Sequence, residues 1–122
     1  MILPHRLVLI AALGLLAGCA SRGPDYAAVV ASPDRTDADR QTDQRRKPAE
    51  LLAFTGVQPG MRVLDVGAGG GYSTELLARA AGPSGTVYAQ NSPEDWERMK
   101  DRLEARFGRP GMQKRSEEHT SE

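Results

Sequence analysis

The chain of 122 residues is short of cysteine and histidine and has no excess of either charge. A single Cys excludes an internal disulfide framework, and one Cys with two His excludes a zinc site built from those ligands. Sixteen basic side chains balance sixteen acidic ones, which argues against a dedicated nucleic-acid binder, since that role needs a basic face. No apolar run is long enough to cross a membrane. The run from Leu7 to Leu16 falls well short of the ~20 residues a spanning helix requires, and Ser21-Arg22 closes it off. At this length there is room for one small domain at most. Hydrophobic residues make up 39% of the chain, and part of that share sits in the first 18 positions, so the remainder is lean. What is informative lies in three places: the N-terminus, a glycine run near residue 70, and the last eight residues.

Residues 1–18 combine a short basic lead (His5-Arg6), an apolar stretch and small residues at the end, the pattern of a secretory signal. Leu16-Ala17-Gly18-Cys19 resembles the lipobox of bacterial lipoproteins. The resemblance implies that the Cys19 thiol receives a diacylglycerol and that the peptide is cut just before it. Several acyl chains at ~0.8 kcal/mol per buried methylene anchor a protein stably to a membrane. Ala20, rather than Asp, at the next position resembles the outer-membrane type, facing the periplasm.

From Ala20 to Lys47 the chain is polar, broken by Pro24 and Pro33. Ser32-Pro33 reads as a helix start, and Asp34 to Lys47 is charged nearly all round, including Arg45-Arg46-Lys47. Such a segment has no face of its own to bury, so residues 19–47 read as a solvated tether or surface helix. A sharper reading has Arg40, Asp43, Arg45 and Arg46 capping a ligand pocket in the domain expected at 48–114.

Pro48 suits the first turn of a helix, which Gly56 can end in the left-handed conformation, and Pro59-Gly60 is a strong turn signal. Arg62-Val63-Leu64-Asp65-Val66 reads as a short buried strand. Gly67-Ala68-Gly69-Gly70-Gly71-Tyr72 follows at once, then a helix that Ser73 or Thr74 can cap, with Glu75 near its positive end and Leu76, Leu77, Ala80 and Ala81 on one face. Gly82-Pro83-Ser84-Gly85 is an exit turn and Thr86-Val87-Tyr88-Ala89 a second strand, giving a parallel β-α-β unit. A chain that leaves a strand and enters a helix within a few residues needs positive-φ conformations. A ligand lying on that turn touches backbone, where side chains would exclude it.

Spacing narrows the ligand. The dinucleotide fingerprint G-x-G-x-x-G fails, because residue 72 is Tyr and residue 74 is Thr where glycine is needed, which disfavours a nicotinamide enzyme. The order Asp65-x-Gly67-x-Gly69-x-Gly71, within Val63 to Thr74, instead resembles motif I of class I S-adenosylmethionine-dependent methyltransferases. The resemblance covers about residues 48–107. It implies an α/β, Rossmann-like doubly wound parallel sheet, of which only the first β-α-β-α portion is present, and S-adenosyl-L-methionine as cofactor. Carried over by position, Gly67, Gly69 and Gly71, with Ala68 and Tyr72, would form the loop under the cofactor, and Asp65 would orient its amino end. Asn91 stands where the family usually has an acidic residue accepting the ribose hydroxyls. An amide accepts such a bond without the charge-assisted strength of a carboxylate.

Ser92-Pro93-Glu94 opens a further helix whose Trp96, Met99, Leu103 and Phe107 form a core stripe. The last eight residues, Arg115 to Glu122, match the in-frame translation of AGATCGGAAGAGCACACGTCTGAA, which resembles a common sequencing-adapter oligonucleotide. Native sequence is accordingly expected to about Lys114. In the resembling family the groups that handle the methyl acceptor come from later strands, so no catalytic residue and no acceptor is assigned. The expectation is the N-terminal part of an exported, lipid-anchored methyltransferase, without nucleic acid as partner. A non-catalytic envelope lipoprotein whose Rossmann-like domain binds a small ligand is the alternative.

Overall fold

The computed structural model describes residues 23–109 and 112. Cys19, the apolar run before it and Arg115 to Glu122 lie outside the described residues. Elements follow in the order α1 (Tyr26–Val30), α2 (Asp37–Arg46), α3 (Pro48–Thr55), β1 (Arg62–Val66), α4 (Tyr72–Ala81), β2 (Thr86–Gln90) and α5 (Pro93–Phe107). The two strands pair in parallel, from Arg62 opposite Thr86 to Val66 opposite Gln90. The parallel β-α-β-α unit is therefore present as expected.

Local chemistry sets most boundaries. Pro48 stands in the first turn of α3, and Gly56 closes it at φ 65°. Ser92 caps α5, accepting from the Asp95 amide at 3.1 Å, with Pro93 in the first turn. Two starts differ from expectation. α2 begins at Asp37, capped by the Thr36 hydroxyl, while the Ser32 hydroxyl instead donates back to the Val29 carbonyl at 2.8 Å. α4 begins at Tyr72 behind Gly71, which has φ 81°. Thr74, one of the expected caps, donates its hydroxyl to Asp65 at 2.6 Å.

The core gathers Leu52, Val57, Leu76, Leu77, Ala80, Val87, Leu103 and Phe107 around α4. Burying each large aliphatic or aromatic side chain contributes about 1.5–3 kcal/mol. From Thr74 to Ala81 α4 is buried all round, rather than on one face. β1 departs from expectation the other way. Val63 packs against the core, but Leu64 and Val66 on its opposite face are 62% and 72% exposed. α4 packs on both strands, and Val63 rather than Leu64 or Val66 faces the core it forms.

Residues 26–46 are not a free tether. α1 is seated by the Tyr26 hydroxyl, which donates to the Val57 carbonyl at 2.8 Å. α2 has no apolar face, yet Asp39 in its first turn and Arg35 just before its cap are buried. Their burial is possible because each is paired.

Candidate functional site

β1 ends at Val66 and the chain turns through four glycines and one alanine before α4. Gly67, Gly69 and Gly71 have φ of 72°, 55° and 81°, a region that side-chain-bearing residues rarely adopt. The end of β2 holds this loop. The Gly67 and Ala68 amides both donate to the Gln90 carbonyl, at 2.9 and 3.0 Å. The Asn91 side chain accepts from the Gly69 amide at 2.8 Å and donates to the Gly69 carbonyl at 3.2 Å.

The glycines divide into two kinds. A Cβ on Gly67 or Gly69 would meet nothing within 4 Å, so the space over them is open. A Cβ on Gly71 would lie 2.9 Å from Leu103 Cδ2 and 3.0 Å from Phe107 Cζ, so Gly71 lets α5 approach the loop. Gly70 stands between, with the Arg102 side chain lying over it.

Over the open glycines lies a cleft of about 580 Å³. Its floor is Gly67 to Gly70; one wall is α2, through Ala38, Thr42, Arg45 and Arg46. The other side is formed by Tyr72, Ser73, Arg102 and Arg106. Of the residues expected at the site, Gly67, Ala68, Gly69 and Tyr72 thus line one cleft. Gly71 is packed beneath it. Asn91 is engaged at both amide atoms by the Gly69 main chain. Asp65 ties the end of β1 to Thr74 and lines a separate apolar groove of about 340 Å³ with Leu51, Leu64 and Leu76. Among the four α2 residues considered as a cap, Arg45 and Arg46 line the cleft, whereas Asp43 holds Tyr72 and Arg40 donates to the Ser32 carbonyl at 3.0 Å. Arg102 and Arg106 line the cleft in addition to the residues expected there. Their signal is the basic i, i+4 pair running beside the apolar stripe of α5.

Charge pairs fasten the α2 wall. Arg35 forks onto both Asp43 oxygens at 2.7 and 2.8 Å, and Tyr72 donates to the same carboxylate at 2.6 Å. Arg106 reaches both oxygens of Asp39 at 3.0 Å, Glu75 at 2.5 Å and the Gly70 carbonyl at 2.9 Å. Glu75, fully buried, is also held by Arg79 and Arg109. Arg79 in turn forks onto Asp34. Burial pushes the Asp39 and Asp43 carboxyls up, but hydrogen bonds from Arg106 and Thr36, and from Arg35 and Tyr72, outweigh it and hold both below their ordinary values. Hydrogen bonds from Arg79 lower Asp34 likewise. Burial and the bond to Asp43 push the Tyr72 phenol up to about 12, so it stays protonated at neutral pH. Its ring lies under the guanidiniums of Arg46 and Arg35, 5.2 and 5.8 Å from the centroid.

Among the described residues no group of His, Cys, Asp or Glu side chains could hold a metal ion, and no helix is long and apolar enough to cross a membrane.

A solved SAM-dependent O-methyltransferase from Thermotoga maritima superposes with a TM-score of 0.54 at 22% identity, over 81% of this chain and 35% of that one. That likeness shows the Rossmann-like α/β fold. A protein-L-isoaspartate O-methyltransferase of Aeropyrum pernix is 47% identical over 55 residues, covering 44% of this chain and 21% of the relative. A ubiquinone/menaquinone biosynthesis C-methyltransferase of Burkholderia cenocepacia is 43% identical over 56 residues, covering 45% and 23%. The chain therefore spans about a fifth of the length of these curated relatives. The family model for protein-L-isoaspartate (D-aspartate) O-methyltransferase matches residues 25–107, a match that takes in α1 and α2 and starts well before the boundary expected at Pro48. Since that match holds the glycine floor and both helical walls of the cleft, the chain belongs to the protein-L-isoaspartate (D-aspartate) O-methyltransferase family.

Proposed function

We propose that this chain is the donor-binding part of an S-adenosylmethionine-dependent methyltransferase, held at the cell envelope by lipid on Cys19. One observation carries the donor site: Gly67 and Gly69 sit at positive φ at the carboxyl end of a parallel strand, under open space that a side chain would occupy. The residues present fit the donor. The cleft lies within the ~300–1,000 Å³ typical of small-molecule sites, and its floor is bare main chain at Gly67 and Gly69.

When bound, the donor supplies an electrophilic methyl group on sulfur. Displacement at that carbon needs alignment more than covalent help, so the contribution of this chain is to bind and position. Gly67, Ala68 and Gly69 form the surface the donor lies on. Gln90 and Asn91 hold that surface in shape, and Asp65 fixes the strand end from which it starts. Tyr72 is locked as a donor to Asp43 and stays protonated, so it keeps the α2 wall in place and does not act as a base at neutral pH. The envelope location rests on Leu16 to Cys19, and Ala20 favours the outer membrane, facing the periplasm.

Titrating the folded full chain with S-adenosylmethionine and S-adenosylhomocysteine in a calorimeter tests the donor site. Saturable heat with both is the expected result. No heat from either, with the protein shown to be folded, contradicts it and favours a binding domain for another small ligand.

A further inference from the structure

We infer that Arg45, Arg46 and Arg102 form an oxyanion-binding wall in the glycine-floored cleft, taking a carboxylate or phosphate group of whatever lies on that floor. Four arginines line the cleft, but they are not equivalent. Arg106 is committed to Asp39, Glu75 and the Gly70 carbonyl. Among the described residues, Arg45, Arg46 and Arg102 make no ion pair with any carboxylate. Arg46 and Arg102 are placed by other contacts, and Arg45 lines the cleft beside Arg46 at the end of α2. The Arg46 guanidinium lies 5.2 Å from the centre of the Tyr72 ring, and Tyr72 is fixed by Asp43. The Arg102 stem lies over Gly70, where a Cβ would come within 2.8 Å of its Cδ. Three like charges from two helices thus converge on one concave surface, and the one carboxylate lining it, Asp39, is already neutralised by Arg106. Guanidinium groups offer paired N–H donors whose spacing matches a carboxylate or phosphate edge. A zwitterionic or anionic ligand is therefore favoured, oriented with its oxyanion towards α2 and α5 and its remaining parts over Gly67 and Gly69.

The inference rests on the donor reading only for one of its two sources. The oxyanion belongs either to the aminoacyl end of the methyl donor or to a methyl acceptor entering the same cleft. Calorimetry on the full chain and on an R45Q/R46Q/R102Q variant separates them with three probes: S-adenosylhomocysteine, 5′-methylthioadenosine, which keeps the adenosine and thioether but lacks the carboxylate, and inorganic phosphate. If the donor supplies the oxyanion, the variant loses about tenfold or more in affinity for S-adenosylhomocysteine and nothing for methylthioadenosine. If the acceptor supplies it, S-adenosylhomocysteine is unaffected and phosphate binding to the S-adenosylhomocysteine-saturated protein falls by about tenfold or more. Equal affinities in the two proteins for both anionic probes overturn the inference, as does an equal loss for methylthioadenosine. A wild-type chain that binds phosphate through these arginines but neither nucleoside refutes the donor reading and leaves the arginine wall standing. The three side chains are exposed and carry no ion pair among the described residues, so the variant should keep its thermal midpoint; if it does not, the single substitutions are read by the same criteria.

Discussion

Glycines that look alike in the sequence do unlike work. Gly69 and Gly71 share a positive φ, but only Gly71 is closed in by side chains of α5. Gly71→Ala combines left-handed strain with overpacking against Leu103 and Phe107, and should destabilise the fold by about 2–4 kcal/mol. Gly69→Ala carries the strain alone, about 1–2 kcal/mol, while its methyl group enters the space over the floor. Urea unfolding read beside calorimetric titration with S-adenosylhomocysteine should therefore show Gly71→Ala as the larger loss of stability, and Gly69→Ala as the larger loss of binding per unit of stability lost. The reverse order would mean that Gly71, and not Gly69, faces the ligand. The need for positive φ was legible in the sequence, because a strand running into a helix within six residues leaves few other routes. Which glycine faces space and which faces a helix was not, since the answer depends on Leu103 and Phe107, more than thirty residues downstream. The same holds for Asn91. Its position at the end of β2 was readable, but its double bond to the Gly69 main chain is set by how the two strand ends meet.

At the scale of elements, α3, β1, β2 and α5 carry their own start and stop signals and form where the sequence places them. α2 takes the helical of the two expected forms, and what the sequence does not announce is the burial of Asp39 within it. A helix reading Asp-Ala-Asp-Arg-Gln-Thr-Asp-Gln-Arg-Arg has no apolar face to suggest burial, so solvent is the natural expectation. Its partners are remote: Arg106 lies 67 positions beyond Asp39, and Tyr72 lies 29 beyond Asp43. α2 is thus seated by charge instead of hydrophobic contact, and pH should release it selectively. Asp34, Asp39 and Asp43 have folded values below their ordinary ones, so the stability they contribute is complete above the usual carboxylate range, about pH 4, and is lost as the pH falls through the folded values. Hydrogen exchange, corrected for intrinsic rate, should show α2 protected at pH 7 and at pH 5 and losing protection below about pH 4, before the middle of α4 does. Protection of α2 that persists unchanged to pH 2 would show that something other than these carboxylates holds it.

Considered whole, the described residues place a floor and two walls at the carboxyl end of a two-stranded parallel sheet, while Leu64 and Val66 on one face of that sheet meet solvent. Membership of the family accounts for the floor and the walls alike, because the matched region begins at residue 25 and so includes α1 and α2. A methyl donor is expected on Gly67 to Gly69 between α2 and α5, and not in the smaller groove that Asp65 shares with Leu51 and Leu64. Amide chemical shifts of the isotope-labelled full chain, followed during titration with S-adenosylhomocysteine, test this most directly. The largest saturable changes should fall on Gly67, Ala68, Gly69 and the Arg45–Arg46 end of α2. Changes concentrated on Leu51, Leu64 and Asp65, with the glycine amides unmoved, would contradict it.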